Sequence, residues 1–161
     1  MKRTECIFPG SFDPVTLGHL DIICRAAGMF ERVYAAILHN PEKNGCFPVP
    51  EREEMLKACC AGMRNVEVVT FPGMLWELAQ RLNVHVILRG FRSGGEAEDE
   101  IAMARLNAKL LPGTETVFLP CEAELSCVSS SAVRQIASFH GNLHGLVPGI
   151  IEQKIREKFG Y

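Results

Sequence analysis

Five short, nearly continuous apolar runs, each leading into a turn and then into a stretch with helical spacing, limit what this 161-residue chain can become. The first, Cys6-Ile7-Phe8, is followed by a Gly/Pro-rich turn and by Leu20 to Ala27, whose apolar residues suit a helix packed on a sheet. Arg32 to Leu38, Val66 to Phe71, His85 to Leu88 and Thr116 to Leu119 are the other four. Runs that are apolar without clean alternation belong to strands covered on both faces, the condition of a parallel sheet. Their alternation with helices predicts an α/β fold: one domain over residues 1–161, built on a doubly wound, five-stranded parallel sheet.

The helices are expected in the intervals. Pro50 takes the first position of the second helix, Glu51, Glu53 and Glu54 complement its positive end, and Gly62 stops it after Met55 to Cys60. Met74 to Leu82 follows the turn Pro72-Gly73. A long helix is predicted from Glu96 to Leu111, with Ile101, Ala104, Arg105 and Ala108 at helical spacing and Pro112-Gly113 ending it. The serines before Ala132 suit the N-cap of a helix that runs through Ala137, and Pro148 begins the last, with Glu152 to Lys158 as its solvated face.

A hydrophobic share of 47% supports one well-buried core. With 17 basic and 19 acidic residues, the net charge of −2 leaves no general footprint for nucleic acid or an anionic membrane. A polyanionic small ligand would have to be met by a few placed cations. No apolar run approaches the ~20 residues of a membrane span, and Met1 to Glu5 leads into a strand rather than a signal-peptide core, so a cytoplasmic protein is expected. The seven cysteines are odd in number and none are spaced CxxC, which favours buried reduced thiols over zinc or disulfides.

Chemistry concentrates in the turns. From Phe8 to His19 the chain runs strand, Gly/Pro-rich turn, helix: Gly10 permits close approach, Pro14 removes an amide that would need a partner, and Gly18 opens the helix so that its free N–H groups face a ligand. An anion is the natural guest. His39 to Pro48 is a polar loop at the carboxyl end of the second strand, where loops of an open α/β sheet line the ligand crevice; Lys43 lies on it, and alone would read as an exposed loop lysine. Arg89-Gly90-Phe91-Arg92 directly follows the fourth strand and offers two guanidiniums to phosphate oxygens, though an arginine pair there could equally be surface charge. Val128 to Arg134 offers a second anion site, for which capping explains one serine but not Ser129, Ser130, Ser131 and the arginine together.

Thr16-Leu17-Gly18-His19 resembles the (T/H)xGH signature of the nucleotidylyltransferase superfamily. With the Pro9-Gly10-Ser11-Phe12-Asp13-Pro14 that leads into it, the stretch is most similar to the bacterial phosphopantetheine adenylyltransferase family. Arg89 to Arg92 resembles that family's RGxR motif and Val128 to Arg134 its (I/V)SSSxxR segment, in the family's order and spacing, so the likeness spans essentially the whole chain.

The resemblance implies a Rossmann-like nucleotidylyltransferase fold and transfer of AMP from ATP to 4′-phosphopantetheine. The products would be 3′-dephospho-coenzyme A, a coenzyme A precursor, and pyrophosphate. It implies direct in-line displacement, Mg²⁺ carried mainly by the ATP phosphates with no protein metal ligand, and a homohexamer. Catalysis would fall to His19, Lys43 and Arg92. ATP would be held by Ser11, Phe12, His19, Gly90, Phe91, Arg92, Glu100 and the stretch Leu125, Ser126, Cys127, Val128, Ser129, Ser130 and Ser131; phosphopantetheine would meet Ser11, Lys43, Leu75 and Arg89. The chain departs from the family in having Ser11 for the common Thr, an acidic, Gly-bearing Ser93 to Glu100, and Leu125 where an aromatic residue is frequent. These departures bear on adenine packing, hexamer contacts and feedback by coenzyme A. Another nucleotidylyltransferase, for nicotinamide mononucleotide or a cytidylyl group, is disfavoured by Thr16 and the short chain. A non-catalytic nucleotide-sensing module is disfavoured by the cations around the acceptor phosphate.

Overall fold

The structure is a computed structural model that describes residues 4–39 and 45–161. Its strands are β1 (Glu5–Gly10), β2 (Arg32–Leu38), β3 (Val66–Phe71), β4 (Val86–Phe91) and β5 (Glu115–Pro120). Its helices are α1 (Leu17–Met29), α2 (Val49–Cys60), α3 (Leu75–Leu82), α4 (Gly94–Leu110), α5 (Ser130–Ser138) and α6 (Gly149–Phe159). A single 3-10 turn, Ala123–Leu125, which the sequence had not suggested, precedes α5.

The five strands form one sheet in the order β3-β2-β1-β4-β5, with every pair parallel. Side chains alternate across a strand, so each strand feeds two cores. Cys6 and Phe8, Val33, Ala35 and Ile37, and Val86 and Leu88 pack with α1, α2, α5 and α6 through residues such as Ile23, Met55, Leu56, Val133 and Ile151. On the opposite face Ile7, Tyr34 and Ala36 pack with Leu78 and Ala79 of α3. This is the doubly wound α/β sheet expected.

Several expected boundaries shift, each for a local reason. β4 continues through Arg89, Gly90 and Phe91, which pair with Phe118, Leu119 and Pro120, so the arginine motif begins inside the strand rather than after it. α1 starts at Leu17, one residue before the Gly18 expected to open it, because Thr16 caps it. α4 starts at Gly94: glycines weaken a helix by about 1 kcal/mol each, but Glu96 accepts the Arg92 N–H just before this helix (3.0 Å) and helps to hold its start. On α4, Ile101, expected at helical spacing with Ala104, Arg105 and Ala108, is 42% exposed, and Met103, Leu106 and Leu110 are exposed as well, as is Val117 of edge strand β5.

All seven cysteines are free, as expected, but only Cys6 and Cys60 are buried, while Cys24 and Cys127 are exposed. Burial pushes the Cys6 thiol up to about 12 and those of Cys59 and Cys60 to about 11, so none of these three is a nucleophile at neutral pH. Among the described residues no helix is long and apolar enough to cross a membrane.

Candidate active site

In the sheet order β3-β2-β1-β4-β5, the chain winds outward from β1 in one direction and from β4 in the other. The carboxyl ends of these two neighbours therefore diverge and leave a crevice. It is lined by Gly10 and Ser11 after β1, by Thr16, Gly18 and His19, by Arg89 to Arg92, by Glu96, Asp99 and Glu100 of α4, and by Leu125, Val128 to Ser131 and Arg134 around the start of α5.

The start of α1 explains why threonine and histidine stand three apart. Thr16 Oγ1 accepts the His19 N–H (3.3 Å), and the Thr16 N–H donates back to His19 Nδ1 (3.1 Å). This is a capping box in which histidine replaces the usual glutamate. Because Nδ1 is an acceptor, the neutral ring carries its proton on Nε2. The Phe12 ring lies beneath, 4.9 Å between centroids, and restricts the imidazole from below. Burial, and after it the charges of Arg92 and Arg89, push His19 down to about 4, so a neutral Nε2–H donor stands at the crevice. The Leu17 N–H donates to Leu146 O (3.0 Å) and the His19 N–H to Thr16, which leaves the Gly18 N–H for a ligand. A Cβ at Gly18 would make only ordinary contacts, 3.6 Å to Thr16 Oγ1 and 3.8 Å to Val128 O, so the fold itself does not crowd out a side chain there.

The serine run also has structural work. Ser129 caps α5 by accepting the Ala132 N–H (3.0 Å), Ser130 Oγ donates to Pro14 O (2.8 Å), and Ser131 Oγ accepts from Arg134 (3.2 Å), which also donates to Asp13 O. Ser130 and Arg134 thus dock α5 on the turn after β1, while the Ser129 and Ser131 hydroxyls are engaged within α5 itself. The anion site at α5 comes down to the first-turn N–H groups of Ser130 and Ser131, where a helix N-terminus is positive.

The two arginines are held alike. Arg89 donates from Nε and Nη2 to both oxygens of Glu100 (2.6 and 2.5 Å) and from Nη1 to Pro9 O (3.1 Å). Arg92 donates from Nε and Nη2 to Glu96, and from Nη1 to Val128 O (3.2 Å). Burial alone would raise the Glu96 carboxyl, but the hydrogen bonds and charge of Arg92 outweigh it and hold it below its ordinary value. Gly90, between the arginines, has its missing side chain aimed at α1: a Cβ would sit 3.0 Å from Ile22 Cγ1, so the glycine allows α1 to close on β4.

Asp13 ties the floor of the crevice to the segment before α2. Its carboxylate accepts the Cys46 N–H (2.7 Å) and the Phe47 N–H (2.8 Å). Buried Arg52 donates to Phe47 O (2.8 Å) and Ser11 O (3.2 Å), bracing the same junction from the other side. Gly45 fits between them because a Cβ there would lie 2.8 Å from Asp13 Oδ2 and 2.9 Å from Arg52 Nη2.

The crevice gathers Ser11, His19, Arg89, Gly90, Phe91, Arg92, Glu100, Leu125, Val128, Ser129, Ser130 and Ser131. Four expected residues lie apart from it. The Phe12 side chain is fully buried in the core, so that residue can meet a ligand only through its backbone. Ser126, whose Oγ donates to Ala123 O (2.8 Å), and the exposed Cys127 are not among the lining residues. Leu75 packs against the buried cluster that includes Ile7, Tyr34 and Leu78 on the α3 side of the sheet. Lys43 lies outside the described residues. Gly18 and Arg134, which the sequence placed in the two anion sites, line the crevice too, as does Thr16, which the motif reading gave no role of its own; the capping spacing from Thr16 to His19 was the available signal. Glu96, Asp99 and Cys121 carried none, since only the packing of α4 and β5 brings them in.

The sequence model of the cytidylyltransferase-like family matches residues 7–136. A protein of Carboxydothermus hydrogenoformans named phosphopantetheine adenylyltransferase is 46% identical over 153 residues, 95% of this chain and 94% of its own length. One of the same name from Desulforamulus reducens is 44% identical over 96% of each chain. Among solved structures, a Vibrio parahaemolyticus protein proposed to be a nicotinate-nucleotide adenylyltransferase superposes with a TM-score of 0.72 at 16% identity, over 96% of this chain and 93% of that one. Plasmodium falciparum nicotinic acid mononucleotide adenylyltransferase gives a TM-score of 0.64 at 13% identity, over 97% of this chain and 95% of that one. At these identities the structural likeness speaks to the fold alone.

Proposed function

Since this chain belongs to the phosphopantetheine adenylyltransferase family, within the cytidylyltransferase-like group, we propose that its crevice transfers AMP from ATP to 4′-phosphopantetheine, yielding 3′-dephospho-coenzyme A and pyrophosphate. The observation that carries the reading is the start of α1, where the capping box presents His19 Nε2–H and the Gly18 N–H together at the β1/β4 switch point, opposite Arg89 and Arg92.

The acceptor is already an anion, so no residue has to deprotonate it. What the protein supplies is alignment and charge. ATP lies with its α-phosphate at the Gly18 N–H and His19, and its β- and γ-phosphates at the Ser130 and Ser131 N–H groups and Arg92. Gly90, Phe91, Leu125 and Val128 flank the nucleoside. The exposed i,i+4 pair of Arg92 with Glu96 contributes only a few tenths of a kcal/mol, so a polyphosphate readily draws Arg92 to itself. Ser11, Arg89 and Lys43 receive the acceptor phosphate, and Leu75 its pantetheine arm. The acceptor oxygen attacks the α-phosphorus as the bond to the β-phosphate oxygen breaks, with no covalent enzyme intermediate.

Of the three carboxylates lining the crevice, those of Glu96 and Glu100 are engaged by arginines. The lining therefore fits a Mg²⁺ that arrives on the triphosphate rather than one held by a carboxylate cage. When bound it draws charge off the leaving pyrophosphate.

The test is pyrophosphate release from ATP and Mg²⁺ with a panel of phosphorylated acceptors. Phosphopantetheine is expected to be the preferred one. A comparable kcat/KM for nicotinamide mononucleotide, or no release with any acceptor, would overturn the reading in favour of a different transferase or a nucleotide sensor.

We also propose a homohexamer, supported by the exposed apolar residues Met103, Leu106 and Leu110, which share one face of α4. Light scattering at micromolar concentration is expected to give six chains; a stable monomer would refute this assembly.

A further inference from the structure

We infer that Arg25 is a positioning residue for the nucleotide: paired with Asp21, it holds the chain leaving β5 against α1 and so sets the segment 121–128 that flanks the nucleoside. The inference rests on the reading of the crevice as an ATP site. Asp21 and Arg25 stand one turn apart on α1, and Arg25 Nη1 donates to Asp21 Oδ2 (3.1 Å). The same Nη1 donates to the carbonyl of Pro120 (2.8 Å), the last residue of edge strand β5. Asp21 Oδ2 in turn accepts the Glu122 N–H (3.4 Å). Helix spacing explains the ion pair. It does not explain the two bonds to the exit of β5, whose partners are 95 and 101 positions away.

Those bonds fall where the sheet stops guiding the chain. The pairing of β4 with β5 ends at Phe91 and Pro120, and one more bond, from the Cys121 N–H to Phe91 O (3.0 Å), closes it. Beyond that the chain folds on itself: the Leu125 N–H donates to Glu122 O and the Val128 N–H to Leu125 O, both at 2.9 Å, which makes residues 122–128 one compact unit. Arg92 holds its far end through Val128 O (3.2 Å), and Asp21 and Arg25 hold its near end. Cys121 and Leu125 line the crevice from this stretch, so a tilt at the near end moves the nucleoside wall. The first-turn N–H groups of α5 stay in place, because Ser130 and Arg134 dock that helix separately. An i,i+4 pair with side chains 34% and 13% exposed adds little to stability. Its effect is on alignment: α1 carries His19 in its first turn and braces the nucleoside wall from the next two, which ties both parts of the nucleotide site to one helix.

The test compares wild type with Arg25→Ala, Arg25→Lys and Asp21→Ala. Calorimetric titration gives the dissociation constant of ATP and, by competition, that of inorganic triphosphate, which has no nucleoside. Steady-state kinetics give the acceptor KM, and thermal unfolding reports that each variant folds. Arg25→Ala is expected to weaken ATP binding roughly fivefold to tenfold, the effect of one or two net hydrogen bonds. Asp21→Ala should act in the same direction, and Arg25→Lys, which keeps a cation and a donor, should lose less. The phosphates and the acceptor are met by other residues, so triphosphate affinity and acceptor KM should move under about twofold. Unchanged ATP affinity in Arg25→Ala, or a raised acceptor KM in its place, would overturn the inference. Equal weakening of ATP and triphosphate would overturn it too, by showing that the pair only supports the fold. If wild type binds no ATP, the reading of the crevice fails and this inference with it, a result distinct from wild type binding ATP and Arg25→Ala binding it equally well.

Discussion

Replacing His19 with alanine is expected to lower kcat by roughly 10²–10³-fold, about 2.7–4 kcal/mol, the range for loss of one preorganised donor to a developing anion. Under the proposed reaction the ground-state α-phosphate would be partly neutralised by Mg²⁺ carried on ATP and by the Gly18 N–H. In the transition state the attacking and leaving oxygens load charge onto its equatorial oxygens, and the Nε2–H, its direction set by the Thr16 hydrogen bond to Nδ1, gains most at that moment. An interaction of this kind raises kcat more than affinity. Steady-state kinetics paired with calorimetric titration of ATP should show the loss almost entirely in kcat; a near-normal kcat would reduce His19 to its capping role.

With its imidazole pushed down to about 4, His19 stays neutral, so the free enzyme's pH profile should show no limb near the ordinary histidine value of 6.5. Between about 4 and 6.5 the unfolded chain binds the proton that the folded chain refuses. Folding stability attributable to His19 is therefore full above 6.5 and is lost as pH falls towards 4, and the wild-type advantage over His19→Ala in thermal unfolding should shrink over that window.

Asp13→Ala should be the most damaging single change to the architecture of the site, costing about 2–4 kcal/mol of stability. The carboxylate accepts two backbone N–H groups, Cys46 at 2.7 Å and Phe47 at 2.8 Å, and the second of these is buried. Bonds to a charged acceptor contribute about 1.5–3 kcal/mol each, and a buried donor left without a partner costs about 1–3 kcal/mol. The alanine also removes the carboxylate that stands with buried Arg52 around Gly45. Because the segment released follows Lys43 closely in sequence, acceptor KM should rise along with the loss of stability if Lys43 binds the acceptor as proposed. Denaturant unfolding and acceptor kinetics on Asp13→Ala and Asp13→Asn measure the two effects. The asparagine variant keeps an oxygen for one N–H and should recover part of each. An alanine variant as stable as wild type would show that this junction is held by packing alone.

Much of this protein is determined by local sequence. Apolar runs short enough for strands, separated by helical spacing and by Gly/Pro turns, specify a covered parallel sheet, because no other arrangement buries both faces of Val33 to Ile37 or Val86 to Leu88. The spacing of Thr16 and His19 is likewise local, since a capping box needs only a first helical turn. Boundaries were legible less well where a strand continues into functional residues: Arg89 to Phe91 are polar or small in part, and only pairing with Phe118 to Pro120 makes them strand.

What the tertiary structure alone decided is which partner each charged or polar side chain has. Three serines that read as a phosphate cradle use their hydroxyls within α5 or to dock it, and the Phe12 side chain turns into the core. Glu100 meets Arg89 only because α4 packs back across the end of β4. Periodicity and motif spacing report contacts within a turn or a helix face. A hydrogen bond between residues tens of positions apart depends on the register of the sheet and the packing of helices upon it, and no local pattern encodes that.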